Sequence, residues 1–331
     1  MIPAHLLVIS DSLQSLPKAM AELATSGHKI THVRDLIPFG QIAASGMADL
    51  SSVDGIVMGR VMGIDAIALD LVPRVRVIAL HTSGTDNIDL DAATARGISV
   101  TNVKGVNAEQ CAEFSIGLML AITRQIRRGD IAIRAGRWAA DTQGSLDVYG
   151  ATFGMIGLGQ IGRAAARRAA AFGMKIICHT RTPDPQIGAE LNIDYLPLDA
   201  VMARSDVVSL YATLTPETRG MIGAREIALM PRHAFLVNIA RGELIDEAAL
   251  TAALIDGRIA GAALDVFETE PLIHSPLFAL DNVILTPHQA GLTHNAKSNA
   301  AVGAVRNALA VLSGQIPPNL VNTPNQSGGP K

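Results

Sequence analysis

The stretch Ala151-Thr-Phe-Gly-Met-Ile-Gly-Leu-Gly-Gln-Ile-Gly162 runs from a short apolar segment into three glycines spaced G-x-G-x-x-G, and residues 163–172 after it are helical in composition. If the apolar run is a buried strand, Gly157 makes a tight turn, Gly159 lets a pyrophosphate approach the backbone, and Gly162 allows close packing of helix on strand. The helix N-terminus then offers unpaired N–H donors to the phosphates. The same glycines also suit a purely structural turn, so the motif alone leaves both interpretations open.

A second strand-like run, residues 174–178, ends about 20 residues after the glycines, where a dinucleotide-binding fold places the residue that reads the ribose. This spacing favours a nucleotide-binding loop over a structural turn. Gln160 and Ile161, inside the motif, are then expected to contact the cofactor together with the glycines.

The composition of the 331-residue chain is that of a well-packed soluble enzyme, with 49% apolar and 17% charged residues, and its length suffices for two domains. The net charge of −3 is mixed along the chain, which argues against nucleic acid and anionic membranes as partners. The two cysteines, Cys111 and Cys178, are expected to be packed thiols in a reducing compartment. The sequence has neither a signal-peptide pattern nor an apolar stretch of about 20 residues, so the expected location is the cytoplasm.

Short apolar runs alternate with helical segments along the chain, which predicts parallel sheets covered by helices on both faces. The predicted strands are residues 4–9, 30–33, 55–58, 75–80, 153–156, 174–178, 207–210, 235–238, 261–264 and 283–286. We therefore expect an α/β protein with two doubly wound domains, a Rossmann dinucleotide-binding domain inserted in a flavodoxin-like substrate domain. The substrate domain takes residues 1–102 and 293–321, the Rossmann domain takes residues 103–292, and a flexible tail takes residues 322–331.

The predicted helix at residues 108–124 carries apolar side chains on more than one side. Such a helix must be buried against another domain or another subunit. We expect it to connect the two domains and to contribute to a homodimer. A last helix, residues 296–313, is expected to return to the first domain.

Three reactive side chains, those of Arg241, Glu270 and His288, each come just after a predicted strand, where open α/β sheets bind ligands. A guanidinium binds a carboxylate in a fixed fork geometry, and an imidazole donates a proton near neutral pH. A carboxylate bonded to that imidazole raises the pKa of the imidazole. These groups fit a ketone–alcohol interconversion that needs no metal site. Each also has an ordinary alternative: a surface ion pair for the arginine, a solvated carboxylate for the glutamate, and a turn cap for the histidine.

Four runs in this order and spacing resemble the D-2-hydroxyacid dehydrogenase family, which includes phosphoglycerate dehydrogenases and glyoxylate/hydroxypyruvate reductases. They are Gly-Leu-Gly-Gln-Ile-Gly, Asn-Ile-Ala-Arg-Gly-Glu-Leu-Ile-Asp, Ala-Leu-Asp-Val-Phe-Glu-Thr-Glu-Pro and Pro-His-Gln-Ala-Gly. The likeness extends through Thr-Ser-Gly-Thr-Asp-Asn-Ile-Asp-Leu and Asn-Ala-Glu-Gln-Cys-Ala-Glu, and it covers residues 50–320. The resemblance implies that His288 is the acid/base, that Glu270 is its partner, and that Arg241 binds the substrate carboxylate and polarises the carbonyl.

The resemblance also implies roles for groups outside this catalytic set. Asp265 would hold the nicotinamide carboxamide, and backbone N–H groups around Ser83 and Gly84 would help to bind the substrate carboxylate. Additional cofactor contacts are predicted at Thr213, Ala240 and Gly291.

The predicted second strand of the nucleotide domain is followed by Thr180, Arg181 and Thr182. Relatives that prefer NAD usually carry an aspartate at the position of Thr180, where its carboxylate accepts from the ribose hydroxyls. That acid is absent here, and an arginine between two hydroxyls suits a 2′-phosphate. We therefore predict that NADP(H) is preferred, with Thr182 and Arg163 as further candidate contacts to the phosphate, and that NAD(H) is possible. A solvent-facing arginine with relaxed cofactor specificity is the alternative.

The substrate is the least determined part of the prediction. Arg60 stands where phosphoglycerate dehydrogenases place an arginine near the substrate phosphate, but Val61 replaces the serine usually next to it. Thr82-Ser-Gly84, preceded by His81, stands where many relatives read Gly-Thr-Gly. The leading hypothesis is an NADPH-dependent reductase of a small 2-keto acid such as glyoxylate or hydroxypyruvate. The alternatives are an NAD-linked dehydrogenase of the phosphoglycerate type and a non-enzymatic nucleotide-sensing co-repressor on the same scaffold.

Overall fold

A computed structural model describes residues 3–10, 13–33, 39–46, 48–59, 63–138 and 144–324. The chain forms two compact units. The first comprises Met1–Asn107 and Thr293–Lys331, and the second comprises Ala108–Leu292. The boundary between them falls at Asn107, just before the first helix of the second unit, and the predicted boundary lay at residue 102.

The first unit is built around a parallel five-stranded sheet. Its elements up to the boundary are β1 (His5–Ile9), α1 (Pro17–Thr25), β2 (Lys29–Val33), α2 (Phe39–Ser45), β3 (Gly55–Met58), α3 (Ala66–Asp70), β4 (Val77–Leu80), α4 (Leu90–Ala95) and β5 (Ser99–Thr101). The strand order β2-β1-β3-β4-β5 is the flavodoxin-like order that the sequence predicts. The alternation of apolar runs missed β5, because this strand has three residues and two of them are polar.

The second unit contains a parallel seven-stranded sheet. Its elements are α5 (Ala108–Thr123), α6 (Ile126–Arg134), β6 (Thr152–Ile156), α7 (Gln160–Ala171), β7 (Lys175–His179), α8 (Pro185–Leu191), β8 (Ile193–Tyr195), α9 (Leu198–Arg204), β9 (Val207–Leu210), α10 (Ala224–Leu229), β10 (Phe235–Asn238), α11 (Glu247–Ile255), β11 (Gly261–Leu264) and β12 (Val283–Leu285).

The sheet of the second unit runs in the order β12-β11-β10-β9-β6-β7-β8. Counted from β6, its first six strands follow the Rossmann order 3-2-1-4-5-6, so the predicted fold class is confirmed for both units. Six strands were predicted, and the missing one is β8 at the sheet edge, where Asp194 interrupts a three-residue strand. The direction of the chain along the sheet reverses between β6 and β9, which is where such folds bind ligands.

The helix α5 is buried on several sides, as its composition predicts, but its partners lie within its own unit. It packs against α7, β10 and β11. Arg168 of α7 adds ion pairs to Glu109 at 2.8 Å and to Glu113 at 3.0 Å. The apolar faces of α5 are therefore explained without a second subunit.

The last helix, α12 (His294–Leu312), packs against α1, β3 and β4 of the first unit. Its N-cap is Thr293, whose side chain accepts from the N–H of Ala296.

Asn322 lies in the segment that the sequence predicts to be a flexible tail, and this prediction is wrong for that residue. Its side chain accepts from the N–H of Val100 at 2.7 Å and donates to the carbonyl of Ile98 at 2.8 Å, which ties it to β5. Residues 325–331 of the predicted tail lie outside the described ranges. Within those ranges, no helix is long and apolar enough to span a bilayer.

Candidate active site

The glycine loop joins β6 to α7 at the point where the sheet order reverses. Gly157 has φ +99°, and a Cβ there would lie 2.7 Å from the backbone nitrogen of Ala212, which follows β9. A Cβ on Gly162 would lie 2.7 Å from the carbonyl oxygen of Gly157. Both glycines are therefore required by the packing of the protein itself.

Gly159 differs from the other two glycines. It is the N-cap of α7 with φ −73°, a conformation open to any residue, and a Cβ added to it meets no atom within 4 Å. The space beside the N–H groups of the first turn of α7, which begins with Gln160 and Ile161, suits a pyrophosphate. The structure thus gives the three glycines the separate roles that the motif predicts, and the loop fits a dinucleotide.

The loop after β7 carries the residues predicted to read the ribose. Thr180 is half-buried, and Arg181 and Thr182 are exposed. The neighbouring Arg163 is already engaged, since its Nη2 lies 2.9 Å from Asp184 Oδ2. Arg181 is therefore the better candidate for binding a phosphate.

The other predicted cofactor residues also follow strands of this sheet. Thr213 comes after β9, Ala240 after β10, Asp265 directly after β11 and Gly291 after β12. Because all these strands are parallel, their carboxyl ends meet at one edge, where the glycine loop also lies.

Arg241 lies in a loop whose backbone is hydrogen-bonded by a buried asparagine. Asn238, the last residue of β10 and 1% exposed, donates from Nδ2 to the Arg241 carbonyl at 2.8 Å. Its Oδ1 accepts from the N–H of Ala240 at 3.0 Å. The guanidinium Nη1 of Arg241 donates to the Ala240 carbonyl at 2.7 Å.

Glycine lets the Arg241 loop approach the next one closely. A Cβ at Gly242 would clash with the backbone of Phe267 and Glu268, which follow β11. Any larger residue at position 242 would therefore push apart the two loops that carry Arg241 and Glu270.

His288 and Glu270 form a hydrogen-bonded pair. His288 Nδ1 lies 3.1 Å from Glu270 Oε1 and 3.0 Å from Oε2, and Oε1 also accepts from the N–H of Phe267 at 3.1 Å. The side chains are 25% and 20% exposed, so both groups reach the surface of the site. A carboxylate at Nδ1 fixes a proton there and orients the ring, so that Nε2 is the nitrogen directed away from Glu270.

Asp265 anchors the loop that carries the histidine. The carboxylate is fully buried and accepts from Thr286 Oγ1 at 2.5 Å and from the N–H groups of Gln289 at 2.9 Å and Ala290 at 2.8 Å. Within this loop His288 has φ +51° and donates its N–H to the Thr286 carbonyl at 3.0 Å. Asp265 and Thr286 together therefore hold the histidine in a backbone conformation that non-glycine residues seldom adopt.

Cys111 of α5 lies near Asp265 and Arg241, but its thiol is unreactive. Burial raises the pKa of its thiol to about 11, with the negative charge of Asp265 adding to the effect and Arg241 opposing it. A neutral thiol is a poor nucleophile, so Cys111 is a packed side chain, as the sequence predicts.

The first unit carries the remaining predicted substrate residues. Ser83 and Gly84 lie in the loop after β4, and Arg60 lies outside the described residues. Asn238, Thr286 and Asn102 bond these loops and those of Arg241 and His288, and none of the three was predicted from the sequence. All three stand at or just beyond strand ends, where a buried amide or hydroxyl satisfies loop backbone, and that position is the signal that could have found them.

The arrangement in the second unit combines a dinucleotide loop, an oriented imidazole and a guanidinium at one edge of a Rossmann sheet. The family model for the D-isomer specific 2-hydroxyacid dehydrogenase, NAD binding domain, matches residues 116–290 of the chain. The protein belongs to this family. It is an NAD(P)-dependent oxidoreductase that transfers a hydride between the cofactor and a 2-keto or 2-hydroxy acid.

Relatives of this dehydrogenase match over most of the chain. It is 43% identical to a glyoxylate reductase of Korarchaeum cryptofilum over 264 residues, which cover 78% of this chain and 80% of that protein. A solved glyoxylate reductase from Paecilomyes thermophila superposes with a TM-score of 0.85 at 33% identity, covering 97% of this chain and 99% of that one. An NADPH-dependent glyoxylate/hydroxypyruvate reductase from Sinorhizobium meliloti, in complex with NADP and malonate, gives a TM-score of 0.83 at 32% identity and covers 96% of each chain.

Substitutions in the glycine loop should separate folding from cofactor binding. Gly159→Ala should leave the thermal midpoint within a few degrees, because its Cβ enters open space, and should weaken NADPH binding at least tenfold, because that space is where the motif predicts the pyrophosphate. Gly157→Ala should instead destabilise the fold by about 2 kcal/mol or more, from its positive φ and its contact with Ala212. Thermal unfolding and fluorescence titration measure the two effects. Unchanged NADPH affinity in the Gly159 variant would contradict the assignment.

Proposed function

We propose that the protein is an NADPH-preferring reductase of small 2-keto acids, with glyoxylate and hydroxypyruvate as its substrates. The observation that supports the chemistry most strongly is the pairing of His288 Nδ1 with both oxygens of Glu270. The glyoxylate reductase relatives and the NADPH-dependent glyoxylate/hydroxypyruvate reductase support this choice of substrates. A panel of 2-keto acids assayed with both cofactors tests the proposal.

His288 is the proton donor in the proposed reaction. A bound reduced nicotinamide would supply the hydride that the keto carbon takes up. His288 would give the proton on Nε2 of its imidazolium to the carbonyl oxygen, which yields the 2-hydroxy acid. Glu270 keeps the ring oriented and stabilises its positive charge before the proton leaves.

The proposed anion contacts come from one side chain and from backbone. Arg241 binds the substrate carboxylate and polarises the carbonyl, since a guanidinium offers two parallel donors. The N–H groups of Ser83 and Gly84 are the proposed backbone donors to the carboxylate. Asp265 retains its proposed role toward the nicotinamide carboxamide, in addition to its three bonds within the loop.

The proposed preference for NADPH rests on the loop after β7. No carboxylate stands at position 180 to accept from ribose hydroxyls and repel a 2′-phosphate. Arg181 is exposed at the end of the strand, and the hydroxyls of Thr180 and Thr182 flank it. A guanidinium with two hydroxyls complements a phosphate dianion.

Replacing Arg181 with alanine should weaken NADPH binding about tenfold or more and should leave NADH binding nearly unchanged, because only NADPH carries the phosphate. Dissociation constants for both cofactors, from fluorescence titration, measure the difference. Arg167→Ala is the matched control, since this arginine of α7 is exposed and pairs with Glu190 at 3.1 Å. Equal losses for the two cofactors in the Arg181 variant would contradict the proposed preference.

We also propose that the protein is a homodimer, with α6 and the segments near it as the contact. The exposed fractions are 58% for Ile126, 55% for Ile133, 90% for Trp138 and 84% for Tyr149. Three of these side chains follow one another along residues 126–138, and apolar side chains exposed to this degree are typical of protein interfaces. Sedimentation of the purified chain tests this.

The cytoplasm remains the proposed location. Cys111 and Cys178 are both free and buried, as expected of thiols in a reducing compartment.

A further inference from the structure

Two carbonyl groups of the loop after β4 accept hydrogen bonds from the same neighbouring segment. The Thr82 carbonyl accepts from the N–H of Val103 at 3.1 Å, and the Ser83 carbonyl accepts from Asn102 Nδ2 at 2.7 Å. Both donors belong to the segment that directly follows β5. Two consecutive peptide groups of the loop are thus oriented by the end of the neighbouring strand.

The orientation of these carbonyls fixes the direction of two N–H groups. In a trans peptide the N–H points opposite to the carbonyl of the same peptide plane. Among the described residues the cis peptide is Glu270-Pro271, so the peptides of this loop are trans. The N–H groups of Ser83 and Gly84 therefore point away from Asn102 and Val103. Among the residues that the structure describes, neither N–H has a hydrogen-bond acceptor. Two adjacent N–H groups without an acceptor form a small anion-binding cradle.

The asparagine that holds this loop is itself held by the last helix. Asn307 of α12 is 1% exposed, and its Nδ2 donates to the Asn102 carbonyl at 2.9 Å. The N–H of Asn102 donates to the Asn319 carbonyl at 3.2 Å. A buried amide in an otherwise apolar helix face is costly unless it is bonded, so this contact accounts for the presence of Asn307.

We propose that Asn102 and Asn307 are positioning residues for the substrate carboxylate. Asn102 turns the Ser83–Gly84 peptide so that its N–H faces the anion, and Asn307 fixes the backbone from which Asn102 reaches the loop. The inference rests on the proposed function, in which Ser83 and Gly84 bind the carboxylate. It gives the return of α12 to the first unit a role in substrate binding in addition to packing.

The test is the binding of oxalate, a small dicarboxylate that needs no turnover, measured by calorimetry in the presence of NADPH. Asn102→Ala should weaken oxalate binding about tenfold, since the N–H donors to a charged group are no longer held in place. The KM for glyoxylate should rise by a similar factor, with a smaller change in kcat. NADPH affinity should not change, because the glycine loop belongs to the other unit.

Asn322→Ala is the matched control. Asn322 also bonds β5 through its side-chain amide, but at the opposite end of the strand. Asn322→Ala should lower the thermal midpoint of unfolding without changing the affinity for oxalate. Asn307→Leu provides a second variant of similar volume, and it should weaken oxalate binding in the same direction as Asn102→Ala.

The outcomes separate the inference from the proposed function. Wild-type oxalate affinity in folded Asn102→Ala and Asn307→Leu would overturn the inference, whatever the enzyme reduces. If the wild-type protein binds oxalate and Asn102→Ala does not, but glyoxylate is not reduced, the inference stands and the proposed substrate is wrong. A wild-type protein that binds no oxalate would contradict both.

Discussion

Replacing His288 with asparagine is expected to lower kcat for keto-acid reduction about a thousandfold, while NADPH affinity stays nearly unchanged. A positioned general acid contributes about 10²–10⁴-fold to such a reaction, and an amide cannot donate a proton at this rate. Asparagine is the suitable replacement because position 288 has φ +51°, a conformation that asparagine tolerates better than alanine. Steady-state kinetics with glyoxylate and a fluorescence titration of NADPH measure the two quantities.

His233→Asn is the control for this variant. His233 also pairs with a carboxylate, at 2.7 Å from its Nε2 to Asp206 Oδ1, but it lies before β10, at the opposite end of the strands from His288. The kcat of the His233→Asn variant should equal that of the wild type. A His288 variant with kcat within tenfold of the wild type would exclude this histidine as the acid.

Arg241→Lys should lower kcat/KM for glyoxylate about a hundredfold or more, with the larger part in KM. Lysine keeps the charge but loses the planar fork that engages two oxygens of a carboxylate at once. Hydrogen bonds to charged groups are worth about 1.5–3 kcal/mol each, so the loss of one or two of them gives this range. The measurement is kcat/KM with glyoxylate, together with the NADPH dissociation constant, which should not change.

Arg225→Lys is the matched control for the arginine. Arg225 makes a two-point contact with Asp199, with Nη1–Oδ2 at 2.8 Å and Nη2–Oδ1 at 2.9 Å, but this pair is exposed on the surface of α9 and α10. Arg225→Lys should change the free energy of unfolding by less than about 1 kcal/mol and should leave kcat/KM for glyoxylate unchanged. If Arg241→Lys behaves like this control, Arg241 does not bind the substrate.

The fold could be predicted from sequence because its strongest signals are local. Buried parallel strands read as continuous apolar runs, and β9, β10 and β11 begin and end at the predicted residues. The same signal fails for β5 and β8, which have three residues each and contain polar side chains. Their pairing depends on neighbouring strands, which a single segment does not encode.

The reactive side chains of the candidate site could be predicted from the sequence, but the bonding partners of the residues that hold their loops in place could not. Arg241, Glu270 and His288 each follow a strand, and the topology brings the carboxyl ends of those strands to one edge. Asn238 bonds the backbone of the Arg241 loop, and Thr286 bonds the Asp265 carboxylate. Their positions at strand ends mark both as candidates, but the partners they bond are set by tertiary contacts.

The helix α5 shows what an apolar pattern leaves open. The sequence correctly predicts that its faces are buried, but it does not say by what. In the structure, α7, β10 and β11 cover it within one unit. Exposed apolar side chains lie elsewhere in the described residues, among them those of Ile126 on α6 and Trp138 after it.

The most direct test of the central claim is a panel of 2-keto acids, including glyoxylate, hydroxypyruvate and pyruvate, assayed with NADPH and NADH in parallel. Oxidation of the cofactor is followed by absorbance, and kcat/KM is compared across the panel. We predict the highest values for glyoxylate or hydroxypyruvate, and values about tenfold or more greater with NADPH than with NADH. Equal values with the two cofactors would contradict the preference for NADPH, and oxidation of neither cofactor with any of these acids would contradict the proposed function.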